Sequence, residues 1–166
     1  MEDAPEVVDA DDPELDDDKD PRSEGNLLHE IMQGVEVADD VPKAVRRLVI
    51  KGKITKEEGS FLGGLLTAKL VRPEIRGWFG DGWRVVNERP LLRAGKIMKR
   101  PDRVMISPEG DAVVVDYKFG EAMSTHKRYA RQVYDYVETL KNTGRFRSVT
   151  GYLWYVKLDK LELVAM

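Results

Sequence analysis

Two aspartates fourteen positions apart, Asp102 and Asp116, with a lysine two residues beyond the second, Lys118, are the residues of this chain best suited to chemistry. Carboxylate oxygens suit a hard cation such as Mg²⁺, which is held by one or two carboxylates, several waters and substrate phosphate. Phosphodiester hydrolysis needs an in-line water, a stabiliser for the charge that builds on phosphorus, and help for the leaving oxygen. Asp102 and Asp116 would supply the negative charge for the cation, and Lys118 would orient the nucleophile or stabilise the transition state. His29 lies one position off an apolar helical stripe, at the edge of a buried face, where it could reach such a site. Each residue also has a plain reading. An Asp-x-Lys pair at a strand end is commonly a solvated salt bridge, a lone helix histidine is more often satisfied locally, and Glu88 alone suits a surface. Their joint occurrence is what points to a site.

The elements that must position these residues follow from hydrophobic spacing. Val113-Val114-Val115-Asp116-Tyr117-Lys118 has the composition of a strand leaving the core, so Asp116 and Lys118 share one face and Tyr117 the other. Residues 101–106 form a second strand, joined to the first through Ser107-Pro108-Glu109-Gly110-Asp111, which has the Pro and Gly of a turn. A hairpin of these two runs would bring Asp102 and Asp116 together. Upstream, a helix begins near Ser23 or Asn26 and carries Leu27, Leu28, Ile31 and Met32. A second helix covers 41–51. A third opens at the capping box Thr55-Lys56-Glu57-Glu58 and runs to about Leu70, with Phe61, Leu62, Leu65, Leu66 and Leu70 on its stripe. Residues 73–79 suit a short helical turn.

A strand is expected from Trp83 or Arg84 to Leu92, with Pro90 marking an edge or an end. Thr125 to about Asn142 is the strongest helix, with Tyr129, Val133, Tyr136, Val137 and Leu140 inward, and Thr143-Gly144 stops it. Strands over 149–156 and 161–164 complete an α/β fold, a central mixed β-sheet flanked by helices.

At 166 residues the chain suits one domain with a proper core. The absence of cysteine excludes a disulfide scaffold, a thiolate zinc site, an iron–sulfur cluster and a cysteine nucleophile. No apolar stretch approaches the roughly 18 residues of a membrane span, and the acidic N-terminus lacks signal-peptide character, so a soluble intracellular protein is expected. The net charge of −3 conceals a division: residues 1–20 hold 11 Asp/Glu and one Lys, while the rest holds 26 Lys/Arg and 19 Asp/Glu, a surplus of +7. Residues 1–22, rich in acid and proline, are expected to be a disordered linker or tail, and residues 23–166 a basic folded domain that favours an anionic partner such as nucleic acid.

Taken together these residues resemble the RecB-type branch of the PD-(D/E)XK nuclease superfamily, as found at the C-terminus of UvrD-type helicase subunits in RecBCD and AddAB complexes. Gly25-Asn26-Leu27-Leu28-His29 is similar to that family's first helix, and Glu88, in Val86-Asn87-Glu88-Arg89-Pro90, to an acidic residue of its first strand. Pro101-Asp102-Arg103-Val104 and Val115-Asp116-Tyr117-Lys118 resemble its two core motifs, and Gln132-Val133-Tyr134-Asp135-Tyr136 its Gln-x-x-x-Tyr element. The resemblance spans about residues 24–156. Pro101 and Phe119 stand where the family often has Gly and Thr, and neither removes a functional group.

The resemblance implies a restriction-endonuclease-like core and a Mg²⁺-dependent DNA nuclease, with Mn²⁺ as a substitute ion. In it His29, Asp102, Asp116 and the main-chain carbonyl of Tyr117 hold the metal, Lys118 is catalytic, and Glu88 and Gln132 position substrate or waters. It further implies an exonuclease domain in a bacterial cytoplasmic helicase-nuclease of break repair and recombination, whose motor lies elsewhere, since the chain has no Gly-x-x-x-x-Gly-Lys-Ser/Thr phosphate loop.

On physical grounds, Gln132 and Tyr136 lie on one helix face, and Lys127, Arg128 and Arg131 cluster in the first turns of that helix, where they could neutralise phosphates. Tyr136 equally continues the buried stripe. Trp78 and Trp83 could stack on bases, although core packing suits them as well. A catalytically silent DNA-binding or regulatory domain of a helicase complex is the alternative, and such a relative would usually have lost an Asp or the Lys.

Overall fold

The computed structural model describes residues 23–87, 91–93, 96–98, 101–120 and 126–166. Helix α1 (Glu24–Gln33) is capped by Ser23, whose hydroxyl accepts from the Asn26 amide at 3.2 Å, and it buries Leu27, Leu28, Ile31 and Met32. A 3₁₀ turn at Ala38–Asp40 leads into α2 (Val41–Ile50), which has Pro42 in its first turn, where no intrahelical donor is required. Helix α3 (Lys56–Leu70) opens with both bonds of the capping box: the Glu58 amide donates to Thr55 Oγ1 at 3.1 Å and the Thr55 amide to Glu58 Oε1 at 3.2 Å.

The buried face of α3 departs from the expected stripe. It is Gly59, Leu62, Leu66 and Leu70 that are buried, while Phe61 is 65% exposed. The reason is the close approach of α2. A Cβ on Gly59 would stand 2.9 Å from Val45 Cγ1 and 3.2 Å from Val49 Cγ2, so the glycine face turns inward and Phe61 turns out.

The main sheet has the order β1 (Arg84–Asn87), β4 (Arg103–Ile106), β5 (Asp111–Lys118), β6 (Ser148–Tyr155), β7 (Lys160–Ala165). All its pairs are antiparallel except β5 with β6. That parallel pair requires a crossover, supplied by α4 (His126–Asn142). The single strand expected over 83–92 is divided: β1 ends at Asn87, and β2 (Leu91–Arg93) pairs with β3 (Lys96–Met98) in a hairpin of its own. Pro90, which brings no amide donor, lies in sequence between the two runs.

The sheet separates two cores. On one side Met105, Val113, Val115, Tyr117 and Trp154 pack with α1, α2 and α3. On the other, Val104, Ala112, Val114, Val149, Leu153 and Tyr155 pack with Tyr129, Val133, Tyr136, Val137 and Leu140 of α4. The two sets on β5 alternate, as a pleated strand requires. Helix α4 lies directly on the β6 backbone, since a Cβ on Gly151 would come within 2.6 Å of Val137 Cγ2 and 2.7 Å of Val133 Cγ1. The architecture is therefore α/β, a mixed sheet with helices on both faces.

A buried arginine helps join the helical layer to the sheet. Arg103, with 0% of its surface exposed, donates to the carbonyls of Val35 (2.9 Å), Glu36 (2.7 Å) and Trp78 (2.7 Å) and lies 4.2 Å from the Phe79 ring centroid. Among the described residues no helix is long and apolar enough to cross a membrane.

Candidate active site

The β4–β5 register sets the site. Arg103 pairs with Val115, so Asp102 stands just outside the ladder, level with the end of β5. The connection is pinned by Ser107, whose amide donates to the Asp111 carbonyl at 2.8 Å and whose carbonyl accepts from Gly110 at 3.0 Å. Gly110 has φ 91°, a left-handed conformation that favours glycine. With the register so fixed, the Tyr117 amide donates to Asp102 Oδ2 at 2.7 Å.

His29 arrives from α1. Its Nδ1 donates to the Gly25 carbonyl at 3.0 Å within the helix, and the ring meets Phe119 edge-on at 4.8 Å. In the neutral ring this leaves the Nε2 lone pair 3.1 Å from the Tyr117 carbonyl oxygen and 3.5 Å from Asp102 Oδ2. Three electron-rich atoms thus face one another, an arrangement that needs a proton or a cation among them. Accordingly, although burial works to lower the His29 pKa, the bonding and charge of Asp102 overcome it and raise it to about 9. Burial and then the neighbouring Asp116 charge push Asp102 up to about 7.

Asp116 and Lys118 occupy the α4 face of β5. They are 3% and 5% exposed, which removes them from the class of solvated rim pairs. Lys118 Nζ is 3.3 Å from Asp116 Oδ2 and 3.9 Å from the centroid of the Tyr129 ring on α4. An ion pair this deep is weak evidence of stabilisation, because desolvation opposes its Coulomb attraction; it suits a group kept for its chemistry.

The donors present fit a hard cation. Adjacent ligands around a six-coordinate ion with bonds of about 2.1 Å stand about 3 Å apart, close to the spacing of His29 Nε2, Tyr117 O and Asp102. Among the described residues no three His, Cys, Asp or Glu side chains gather as a metal site; the gathered set is two side chains and a main-chain carbonyl, with Asp116 alongside.

The remaining candidates lie apart or play other parts. Glu88 falls outside the described residues. Lys127 and Arg131 are exposed on the first turns of α4, Arg128 is half-buried with its guanidinium 5.7 Å from the Tyr129 ring, and Gln132 is half-buried with its Oε1 buried and without a hydrogen-bond partner among the described atoms. Tyr136, a candidate for DNA contact, is 1% exposed: its ring belongs to the core, and its hydroxyl pKa is raised first by burial and then by Asp116 and Asp102. Trp78 packs on Tyr152 at 5.0 Å, and Trp83 Nε1 donates to the Gly77 carbonyl at 2.9 Å, so both have structural partners.

Sequence reasoning missed Arg103 and the role of the Tyr129 ring. The strand position of Arg103 was legible, but the three carbonyls that hold it lie 25 to 68 residues away.

A mixed five-stranded sheet covered by helices, with a carboxylate pair and a lysine at the end of one hairpin, has the restriction-endonuclease-like architecture. The chain belongs to the PD-(D/E)XK nuclease superfamily, whose sequence model matches residues 6–165. Comparison with curated proteins gives no match. The superfamily consists generally of nucleases that act on DNA, typically with divalent metals.

Proposed function

We propose that this domain is a Mg²⁺-dependent deoxyribonuclease of the RecB-like branch, acting as the exonuclease domain of a bacterial helicase-nuclease in double-strand-break repair and recombination. The observation that carries the reading is the convergence at the end of β5 of His29 Nε2, the Tyr117 carbonyl and Asp102, with the Lys118 and Asp116 pair on the adjacent face.

In this reading His29, Asp102, Asp116 and the Tyr117 carbonyl hold the cation. When bound, the cation supplies Lewis acidity toward the phosphodiester and the attacking water. The chain's own residues do the rest. The Gly25 carbonyl fixes the His29 tautomer, leaving Nε2 as a ligand. The Tyr117 amide holds Asp102 Oδ2 in place. Lys118, its ammonium kept between Asp116 and the Tyr129 ring, orients the nucleophile or stabilises the charge building on phosphorus. Glu88 and Gln132 position the substrate or the ordered waters, and Lys127, Arg128 and Arg131 neutralise phosphates.

The test is incubation of the chain with labelled single-stranded and nicked DNA in Mg²⁺, Mn²⁺ or EDTA. Cleavage is expected with either metal, to be lost in EDTA, and to fall at least about a hundredfold in Asp116→Ala and Lys118→Ala. Metal-independent binding without cleavage, unchanged in both variants, overturns the reading.

A further inference from the structure

A second polar chain lies beside Lys118, built from residues the site itself does not use. Tyr155 on β6 is the register partner of Lys118 on β5. It is 1% exposed and belongs to the same core cluster as Tyr129. Its hydroxyl lies 3.0 Å from Nδ1 of His126, the first residue of α4. His126 Nε2 lies 2.8 Å from Glu162 Oε2 on β7, and Lys160 Nζ stands 3.2 Å from the other oxygen of that carboxylate.

A carboxylate only accepts, so Nε2 carries a hydrogen and donates to Glu162, while Nδ1 is hydrogen-bonded to the Tyr155 hydroxyl. Tyr155, His126 and Glu162 thereby tie β6, the first turn of α4 and β7 into one chain of hydrogen bonds. Tyr129 follows His126 by three residues and so shares its helix face, and its ring is the one that Lys118 Nζ sits over.

We propose that Glu162, His126 and Tyr155 are positioning residues for Lys118: they anchor the first turn of α4 so that the Tyr129 ring is held against the lysine ammonium. The proposal rests on the nuclease reading for the use of Lys118. Geometry alone carries it, because the anchor and the ring are three residues apart on one helix, the anchor meeting Tyr155, the strand neighbour of Lys118, and the ring meeting Lys118 itself.

The test uses the full chain and the variants His126→Ala, Tyr155→Phe and Glu162→Gln. Tyr155→Phe removes one oxygen and keeps the ring, so it decides the matter if His126→Ala does not fold. The first readout is NMR of the ¹⁵N-labelled lysine side chains, with the Lys118 signal assigned by its loss in Lys118→Arg; stacking over Tyr129 gives that signal a ring-current shift. The second is cleavage of a labelled single-stranded oligonucleotide in Mn²⁺, with kcat and KM separated. Expected are a Lys118 signal displaced toward the other lysines and a kcat about tenfold lower at unchanged KM, with Glu162→Gln the mildest. A Lys118 signal unmoved in Tyr155→Phe overturns the proposal, as does a signal that moves while kcat stays at the parent value. If the parent does not cleave DNA in either metal, the nuclease reading falls, and the lysine signal alone still decides whether the chain positions Lys118.

Discussion

Asp102 and His29 set the acid–base behaviour of the site. Both hold protons above their ordinary range, about 7 against 3.8 for Asp102 and about 9 against 6.5 for His29. Each folded pKa lies above its unfolded value, so the folded chain binds more protons than the unfolded chain across that window. The stabilisation is complete below the unfolded values and is lost as pH rises through the folded ones. Thermal unfolding in EDTA should therefore show this pair's contribution declining from about pH 4 to about pH 9, by at most about 1.4 kcal/mol per pH unit for each proton, and Asp102→Asn should flatten the decline. Metal ligands must shed those same protons, so Mn²⁺ affinity measured by calorimetry should rise over the same window. In that experiment Asp102→Ala and Asp116→Ala should abolish binding and Lys118→Ala should spare it. Equal binding by all three variants would place the metal elsewhere.

At the scale of elements, Arg103 is a buried tie between the helical layer and the sheet. Arg103→Met would leave the carbonyls of Glu36 and Trp78 without this donor, while that of Val35 keeps the Asn87 side-chain amide at 3.4 Å. Unsatisfied buried groups each cost about 1–3 kcal/mol, so urea unfolding should show a loss of about 2 kcal/mol or more with the slope unchanged. The elements were legible to differing degrees. The capping box at Thr55 and the alternation along Val113–Lys118 depend only on near neighbours, and the sequence carries them in full. The inward turn of Gly59 and the outward turn of Phe61 depend on how near α2 comes, which no periodicity within α3 encodes. The β2–β3 hairpin was hidden for a similar reason: three-residue strands have too little pattern to separate from β1.

The candidate site divides the same way. That Asp116 and Lys118 share a face follows from strand pleat, but the bond from the Tyr117 amide to Asp102 depends on a register set across a turn. The link from His126 to Tyr155 and Glu162 joins residues 29 and 36 positions apart and has no local signal.

Over the whole molecule, the segregation of charge bears on substrate binding. The surplus of +7 beyond residue 20 favours a polyanion, and the exposed Lys127 and Arg131 sit on the helix that covers the Asp116 face of the sheet. Affinity for a single-stranded oligonucleotide, followed by fluorescence anisotropy across a salt series, should fall linearly in log–log form. Lys127→Ala and Arg131→Ala should each lower the magnitude of the slope by about 1. A slope untouched by either change would place the phosphate track on another surface.

The 2.7 Å bond from the Tyr117 amide to Asp102 makes one backbone proton a resident reporter of the site. Its resonance will follow the charge on that carboxylate as acid neutralises it, and on the metal-site proposal it should shift again when a diamagnetic ion such as Mg²⁺ is added. Titrating the labelled chain while watching this single amide would then count occupancy directly, with no nucleic acid in the tube and no turnover to wait for.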